Sequence, residues 1–170
     1  MTAISHSDAT IYPAGGGRMT PVHIRWMLRG DMAEVFAIEK TSFPNPWSED
    51  DFVQCLRQRN CIGLVAENGE SVLGFMIYEL HRSRLHILDF AVCPDRRRWQ
   101  IGQQMVNRMK SKLSRERRNR IMLEIRETNL PGQLFFKSQG FRAISVLRDF
   151  YEDAPGESAY LMQYKHDAKS

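Results

Sequence analysis

Leu88-Asp89-Phe90-Ala91-Val92-Cys93-Pro94-Asp95-Arg96-Arg97-Arg98-Trp99-Gln100-Ile101-Gly102-Gln103 is the stretch on which the fold turns. The apolar run up to Val92 reads as a strand, Pro94 stops it, and a tight basic loop then feeds a helix. The first N–H groups of a helix have no partner within it, and the helix dipole makes that end positive. Such a junction is a ready anion site, to which Arg97 and Arg98 add charge and at which Gly102 permits close approach. The same residues also suit an ordinary strand-to-helix connection with solvated arginines, and on their own they leave both readings open.

Working outward, Ile101, Met105, Met109 and Leu113 recur every four residues, and Val106 widens the stripe, which predicts a helix over 101–113. Upstream, 61–67, 72–81 and 85–92 are apolar-rich strands, with Asn68-Gly69 as a hairpin signal between the first two. Val22–Met27 is a short strand. Asp31–Ser42 is a helix with Asp31 as its N-cap and Val35, Phe36 and Ile38 on one stripe. Pro44 and Pro46 interrupt the chain before a second helix, where Ser48 is the cap and Asp51 the acid of a capping box. Downstream, 120–126 is a strand, and Asn129 caps a helix to Ser138 with Pro131 in its first turn. Gly140 ends that helix. Phe141–Tyr151 and Ala159–Lys165 are two more strands around a polar turn at Asp153–Glu157. The order β-α-α-β-β-β-α-β-α-β-β predicts an α/β protein with a mixed sheet covered by helices.

The 170 residues suit one domain, placed at 22–165. Residues 1–20 are small, polar and Gly-rich and are expected to form a disordered tail, and 166–170 a flexible one. No apolar stretch is long enough to span a bilayer and no secretory signal opens the chain, so a cytoplasmic protein without a membrane partner is expected. Cys55, Cys61 and Cys93 form no Cys-x-x-Cys pair and read as reduced. The five histidines are scattered without ligand spacing, so no metal is assigned. A net charge of +4 fits an anionic small ligand, an acidic surface or nucleic acid without choosing among them.

Glu124 stands out. On its strand Ile121, Leu123 and Ile125 share one face while Met122, Glu124 and Arg126 share the other. A carboxylate in mid-strand is either a solvent-facing or Arg126-paired residue or a general base that takes a proton from an attacking amine.

The ordered set of motifs resembles a known family. Val92-x-Pro94-x-x-Arg97-Arg98-x-x-Ile101-Gly102 is similar to motif A of the GNAT superfamily of N-acetyltransferases. Phe43-Pro44-Asn45-Pro46-Trp47-Ser48 resembles the Pro-Trp-Ser turn of its RimI-like members, the ribosomal-protein-alanine N-acetyltransferases. Leu123-Glu124-Ile125-Arg126 with Asn129, then Phe136-x-x-x-Gly140-Phe141, and finally Phe150-Tyr151, resemble their later signatures. The likeness runs from Ile24 to Tyr164. It implies a sheet of about seven strands and about four helices in which the fourth and fifth strands splay apart.

The resemblance further implies acetyl-CoA as cofactor. The backbone of Phe90, Ala91 and Val92 would hold the pantetheine arm, with Arg97, Arg98, Trp99, Gln100, Ile101, Gly102 and Gln103 around the pyrophosphate, and Asn129 and Phe136 also on the cofactor. It implies Glu124 as catalytic base and places Trp47, Phe150 and Tyr151 on the acceptor side. Asp149, Glu152 and Asp153 beside Tyr151 form an acidic rim suited to a cationic amine. Two residues depart from the pattern. Gln100 stands where motif A has its first glycine, which costs roughly 1–2 kcal/mol if that position needs positive φ. Phe136 stands where the family has a Tyr acid; Tyr151 or a water would then protonate the thiolate, or turnover would be slow or absent. The implied acceptor is a protein N-terminus, a ribosomal protein among the candidates, with a small amine as the alternative and a non-catalytic acetyl-CoA-binding protein as another. No direct nucleic-acid binding is expected, and the chain should be a monomer or weak homodimer.

Overall fold

A computed structural model describes residues 19–167, so the expected tails at 1–18 and 168–170 lie outside the described residues. The elements are β1 (His23–Trp26), α1 (Met32–Ser42), α2 (Glu49–Leu56), β2 (Cys61–Glu67), β3 (Val72–Leu80), β4 (Arg84–Val92), α3 (Ile101–Lys110), β5 (Arg120–Arg126), α4 (Leu130–Ser138), β6 (Arg142–Leu147) and β7 (Ala159–Lys165). Short 3-10 helices occupy Arg29–Asp31 and Pro94–Trp99. All seven strands form one sheet in the order β1-β2-β3-β4-β5-β7-β6. Only β4 and β5 run parallel; every other neighbouring pair is antiparallel.

The central strands are buried on both faces, whereas the edge strand β6 is exposed. Ile121, Leu123 and Ile125 of β5 pack with Ile101, Met105 and Met109 of α3 and Phe135 and Phe136 of α4. On the other face Val35 and Ile38 of α1, Trp47, and Phe52 of α2 pack with Val65, Phe75 and Ile77. β4 serves both cores by changing phase. Leu85 and Ile87 face the α3/α4 core, but so do Phe90 and Val92, whereas Leu88 and Ala91 face α1 and α2. A β-bulge makes the switch: Ile87 pairs with Tyr78 and Asp89 with Ile77, leaving Leu88 as the extra residue. A bulge bends the strand and increases its twist.

Local chemistry sets the element ends. Ser48 Oγ accepts the Asp51 N–H at 3.1 Å while Asp51 accepts the Ser48 N–H at 2.8 Å, which closes the capping box of α2. Asn68 Oδ1 accepts the N–H groups of Glu70 and Ser71, and Gly69 has φ 93°, so β2 and β3 join through a four-residue loop, 68–71. Asp31 does not cap α1 with its side chain. Its carboxylate accepts the Leu28 N–H at 2.6 Å and a two-pronged pair from Arg25 at 2.8 and 2.9 Å.

Two expected elements are shorter than the sequence predicts. The helix expected over 101–113 ends at Lys110, because Lys112 and Leu113 donate to carbonyls only three residues back; Leu113 still reaches the core. The strand expected over Phe141–Tyr151 ends at Leu147, because Asp149 takes φ 50° and its carboxylate accepts the Gly156 N–H at 2.6 Å, folding 148–158 into a compact loop. Among the described residues no helix is long and apolar enough to cross a membrane, and no cluster of three or more His, Cys, Asp or Glu could hold a metal.

Candidate active site

β4 and β5 are paired over three residues only: Arg84 with Arg120, Leu85 with Ile121 and His86 with Met122. Beyond that row each strand keeps its outer neighbour. β4 stays with β3 as far as Val92–Gly74, and β5 stays with β7 as far as Arg126–Ala159. The bulge at Leu88 comes two residues after the last shared row and bends β4 where the two strands part. The result is a gap with Phe90, Ala91 and Val92 along one rim and Leu123 to Arg126 along the other.

At the apex of that gap His86 and Glu124 meet. Both lie on the sheet face opposite Leu85, Ile87, Leu123 and Ile125. His86 Nε2 and Glu124 Oε2 are 2.6 Å apart, and the side chains are 13% and 10% exposed. Glu124 is therefore neither a solvent-facing residue nor the partner of Arg126. The sequence singles out Glu124 but not His86. The alternation between Leu85 and Ile87 is the signal that points to His86, since it puts an imidazole on the non-core face.

Arg126 has other partners. It donates to Asp153 at 2.7 and 2.9 Å and to Glu157 at 2.9 Å, and the Tyr151 ring lies over its guanidinium at 3.8 Å. Thr128 Oγ1 donates to Glu157 at 2.5 Å and the Ser158 N–H to Glu127 at 2.9 Å. The loop between β6 and β7 is thus fastened to the end of β5, and Tyr151, 4% exposed, is held there with Phe150 edge-on at 5.0 Å. The acidic rim expected from Asp149, Glu152 and Asp153 is partly used up in this way. Asp153 pairs with Arg126 and Asp149 holds the Gly156 amide.

The junction after Val92 turns through Gln100, which has φ 58° and ψ 24°. This is the left-handed conformation, and Gln100 takes it without a glycine's freedom. Among the described residues no side-chain hydrogen bond caps α3 at Gln100 and no acid stands in its first turn, so no side-chain charge there offsets the positive end of the helix. Ile101 and Gly102 are buried and Gln103 is exposed. Arg97 is folded back, donating to the Val92 carbonyl at 3.2 Å and Ser42 Oγ at 3.1 Å, so it braces the loop against the end of β4 and of α1. The backbone of Arg98 and Trp99 belongs to the 3-10 helix; their side chains lie outside the described residues.

Asn129 caps α4, its Oδ1 accepting the Gly132 N–H at 3.0 Å. Phe136 is fully buried, with Phe135, Phe141 and Phe90 rings at 5.1, 5.2 and 6.0 Å. The Trp47 ring packs edge-on against Phe52 at 5.2 Å, and the Trp47 backbone N–H donates to Glu39 Oε1 at 2.8 Å. Glu39 and Asp89, both fully buried, lie together behind this loop. Burial, and then the neighbouring Glu39 carboxylate, push the Asp89 carboxyl well above the usual range, so it stays protonated in conditions where an exposed aspartate is charged.

A family model described as the acetyltransferase (GNAT) family matches residues 32–141. The chain is 29% identical over 145 residues to an N-alpha-acetyltransferase of Sulfurisphaera tokodaii, covering 78% of this chain and 86% of that one. It is 25% identical over 133 residues to the [ribosomal protein bS18]-alanine N-acetyltransferase of Escherichia coli K12, covering 78% and 89%. The crystal structure of Arabidopsis thaliana NAA60 in complex with acetyl-CoA has the same fold, with a TM-score of 0.72 and 17% identity over 85% of this chain and 98% of that one.

Proposed function

The chain belongs to the acetyltransferase (GNAT) family, and from that premise we propose that it moves an acetyl group from acetyl-CoA to the α-amine of a protein N-terminus. The observation that carries this reading is the contact of His86 with Glu124 at the point where β4 and β5 part. The N-alpha-acetyltransferase and bS18-alanine N-acetyltransferase relatives support a protein N-terminus as acceptor, a ribosomal protein among them.

The residues fit the donor. The rim Phe90–Val92 has strand hydrogen bonding on its β3 side and an open gap on the other, which suits an extended amide-bearing arm. The uncapped start of α3, at Ile101, Gly102 and Gln103, with Gln100 turning the chain into it, suits a diphosphate. When bound, the thioester supplies an activated acetyl group. Glu124 accepts the proton of the incoming amine, directly or through a water, and His86, hydrogen-bonded to it, orients the carboxylate and shares its charge. Phe136 has no proton to give and is sealed among aromatic rings. Tyr151, fixed over Arg126, is the hydroxyl we assign to the departing thiolate.

The test is to mix the protein with acetyl-CoA and a panel of N-terminal peptides alongside small amines, and to follow free thiol. Turnover with peptides is expected. Failure to bind acetyl-CoA by calorimetry would end the proposal, and turnover confined to the small amines would move the acceptor to that class.

A further inference from the structure

Outside the gap, the chain brings two thiols into contact. Cys55, in the last turn of α2, and Cys61, the first residue of β2, have their Sγ atoms 2.8 Å apart. Both residues are buried, at 6% and 8% exposure, in the core between α1, α2 and the sheet. Their backbones are fixed by the short reversal between them. Arg57 donates to Val53, Gln58 to Cys55 and Cys61 to Gln58, each at 3.1 Å. The pairing of β2 with β3 then holds Cys61 opposite Glu79.

We propose that Cys55 and Cys61 are an oxidisable dithiol that closes to an intramolecular disulfide on reaction with a peroxide. The sulfurs have only to close from contact to bond length, about 2.05 Å, with both Cα atoms already set by hydrogen-bonded backbone. The order of events follows from the contact. The two Sγ atoms share a hydrogen bond in which either can donate; that bond holds the Cys55 thiol below its ordinary value, and the same bond and then burial hold Cys61 above it. Within this proposal Cys55 is the attacking sulfur. Its thiolate attacks one peroxide oxygen, the O–O bond breaks, and the sulfenic acid forms with loss of hydroxide. Cys61 then attacks the Cys55 sulfur, the S–O bond breaks, and the sulfenic hydroxyl leaves as water with the Cys61 proton, while the hydroxide of the first step takes up the proton that Cys55 lost. In sum two thiols and one peroxide give one disulfide and two waters, the sulfurs oxidised and the peroxide oxygens reduced.

Cys93 is more exposed than either and stands apart from the pair, so it serves as an internal control.

The test uses the full chain and hydrogen peroxide under native conditions. The sequence between the two cysteines, Leu56-Arg57-Gln58-Arg59-Asn60, has two tryptic sites, so a disulfide leaves two separate peptides joined. The expected result is that joined pair in the mass spectrum. It should be released by reductant, kept in Cys93→Ala and lost in both Cys55→Ser and Cys61→Ser. In Cys61→Ser a sulfenic acid should instead be trapped at position 55 by a dimedone-type reagent. Oxidation confined to Cys93 would overturn the proposal. So would sulfinic acid at Cys55 without any joined peptide, or a joined peptide that forms faster in denaturant than in the folded protein.

Discussion

The imidazole of His86 and the carboxylate of Glu124 stand 2.6 Å apart immediately above the last row that binds β4 to β5. Two strands that part company are held at their point of divergence by a hydrogen bond between side chains 38 positions apart in the chain. Because both groups are nearly shielded from water, the bond is stronger than its exposed counterpart would be, and the carboxylate has a fixed direction.

On the proposed role of Glu124 as base, Glu124→Gln keeps the shape and removes the proton acceptor. Acetyl transfer should fall by about 10²–10⁴-fold while acetyl-CoA affinity stays near that of the parent. Thiol release and calorimetry on the same preparation check this. His86→Gln should lower kcat and leave the KM for acetyl-CoA little changed.

Gln100 holds φ 58° without being glycine. Gln100→Gly should raise stability by about 0.5–1 kcal/mol, the relief of left-handed strain less the added freedom of the unfolded chain. Gln100→Val should lower it. Urea unfolding midpoints distinguish the three proteins.

The Asp31 carboxylate is held below the usual range, chiefly by its hydrogen bond from Arg25. Its folded value lies below its unfolded one, so its contribution to stability is present above the unfolded value, roughly 3.9, and is lost as pH falls through the folded one. Asp31→Asn should cost about 2 kcal/mol at neutral pH, and the difference from the parent should shrink below pH ~4. Denaturant titrations at a series of acidic pH values check the convergence.

Asp89 has the opposite sign. Its folded value is raised, chiefly by burial, so the stability contributed by its neutral form is complete below the unfolded value, roughly 3.9, and is lost as pH rises through the folded one. Parent stability should decline along that rise by up to about 1.4 kcal/mol per pH unit for this proton. Asp89→Asn does not titrate, so its stability relative to the parent should climb with pH. A parent and variant whose curves run parallel from acid to neutral pH would sink this.

Much of this architecture is readable in the chain. Pro94 after an apolar run, and the four-residue beat from Ile101, mark the junction without reference to anything distant. The alternation around Glu124 separates its two faces, because a pleated strand displays its period in the sequence. The bulge at Leu88 is not readable, because an unbroken apolar run from Ile87 to Leu88 hides a change of phase. Nor is the meeting of His86 with Glu124, which depends on parallel pairing of distant segments. The backbone at Gln100 could be posed as a choice between two conformations, and the fold makes that choice. Asp149 shows why the strand expected to run to Tyr151 stops short. Its left-handed turn depends on an amide seven residues away, which no local propensity reports.

The strand order carries a consequence for how the molecule is made. β7 is the latest of the seven strands in the sequence, yet it lies between β5 and β6. A chain that stops short of Ala159 therefore does not merely lack a border strand: it leaves β6 with no neighbour and strips one side of β5 from Arg120 to Arg126, the segment that bears Glu124. During translation these elements must wait for the C-terminal segment to clear the ribosome. Termination before Ala159 would thus leave Glu124 on a strand unpaired along that side.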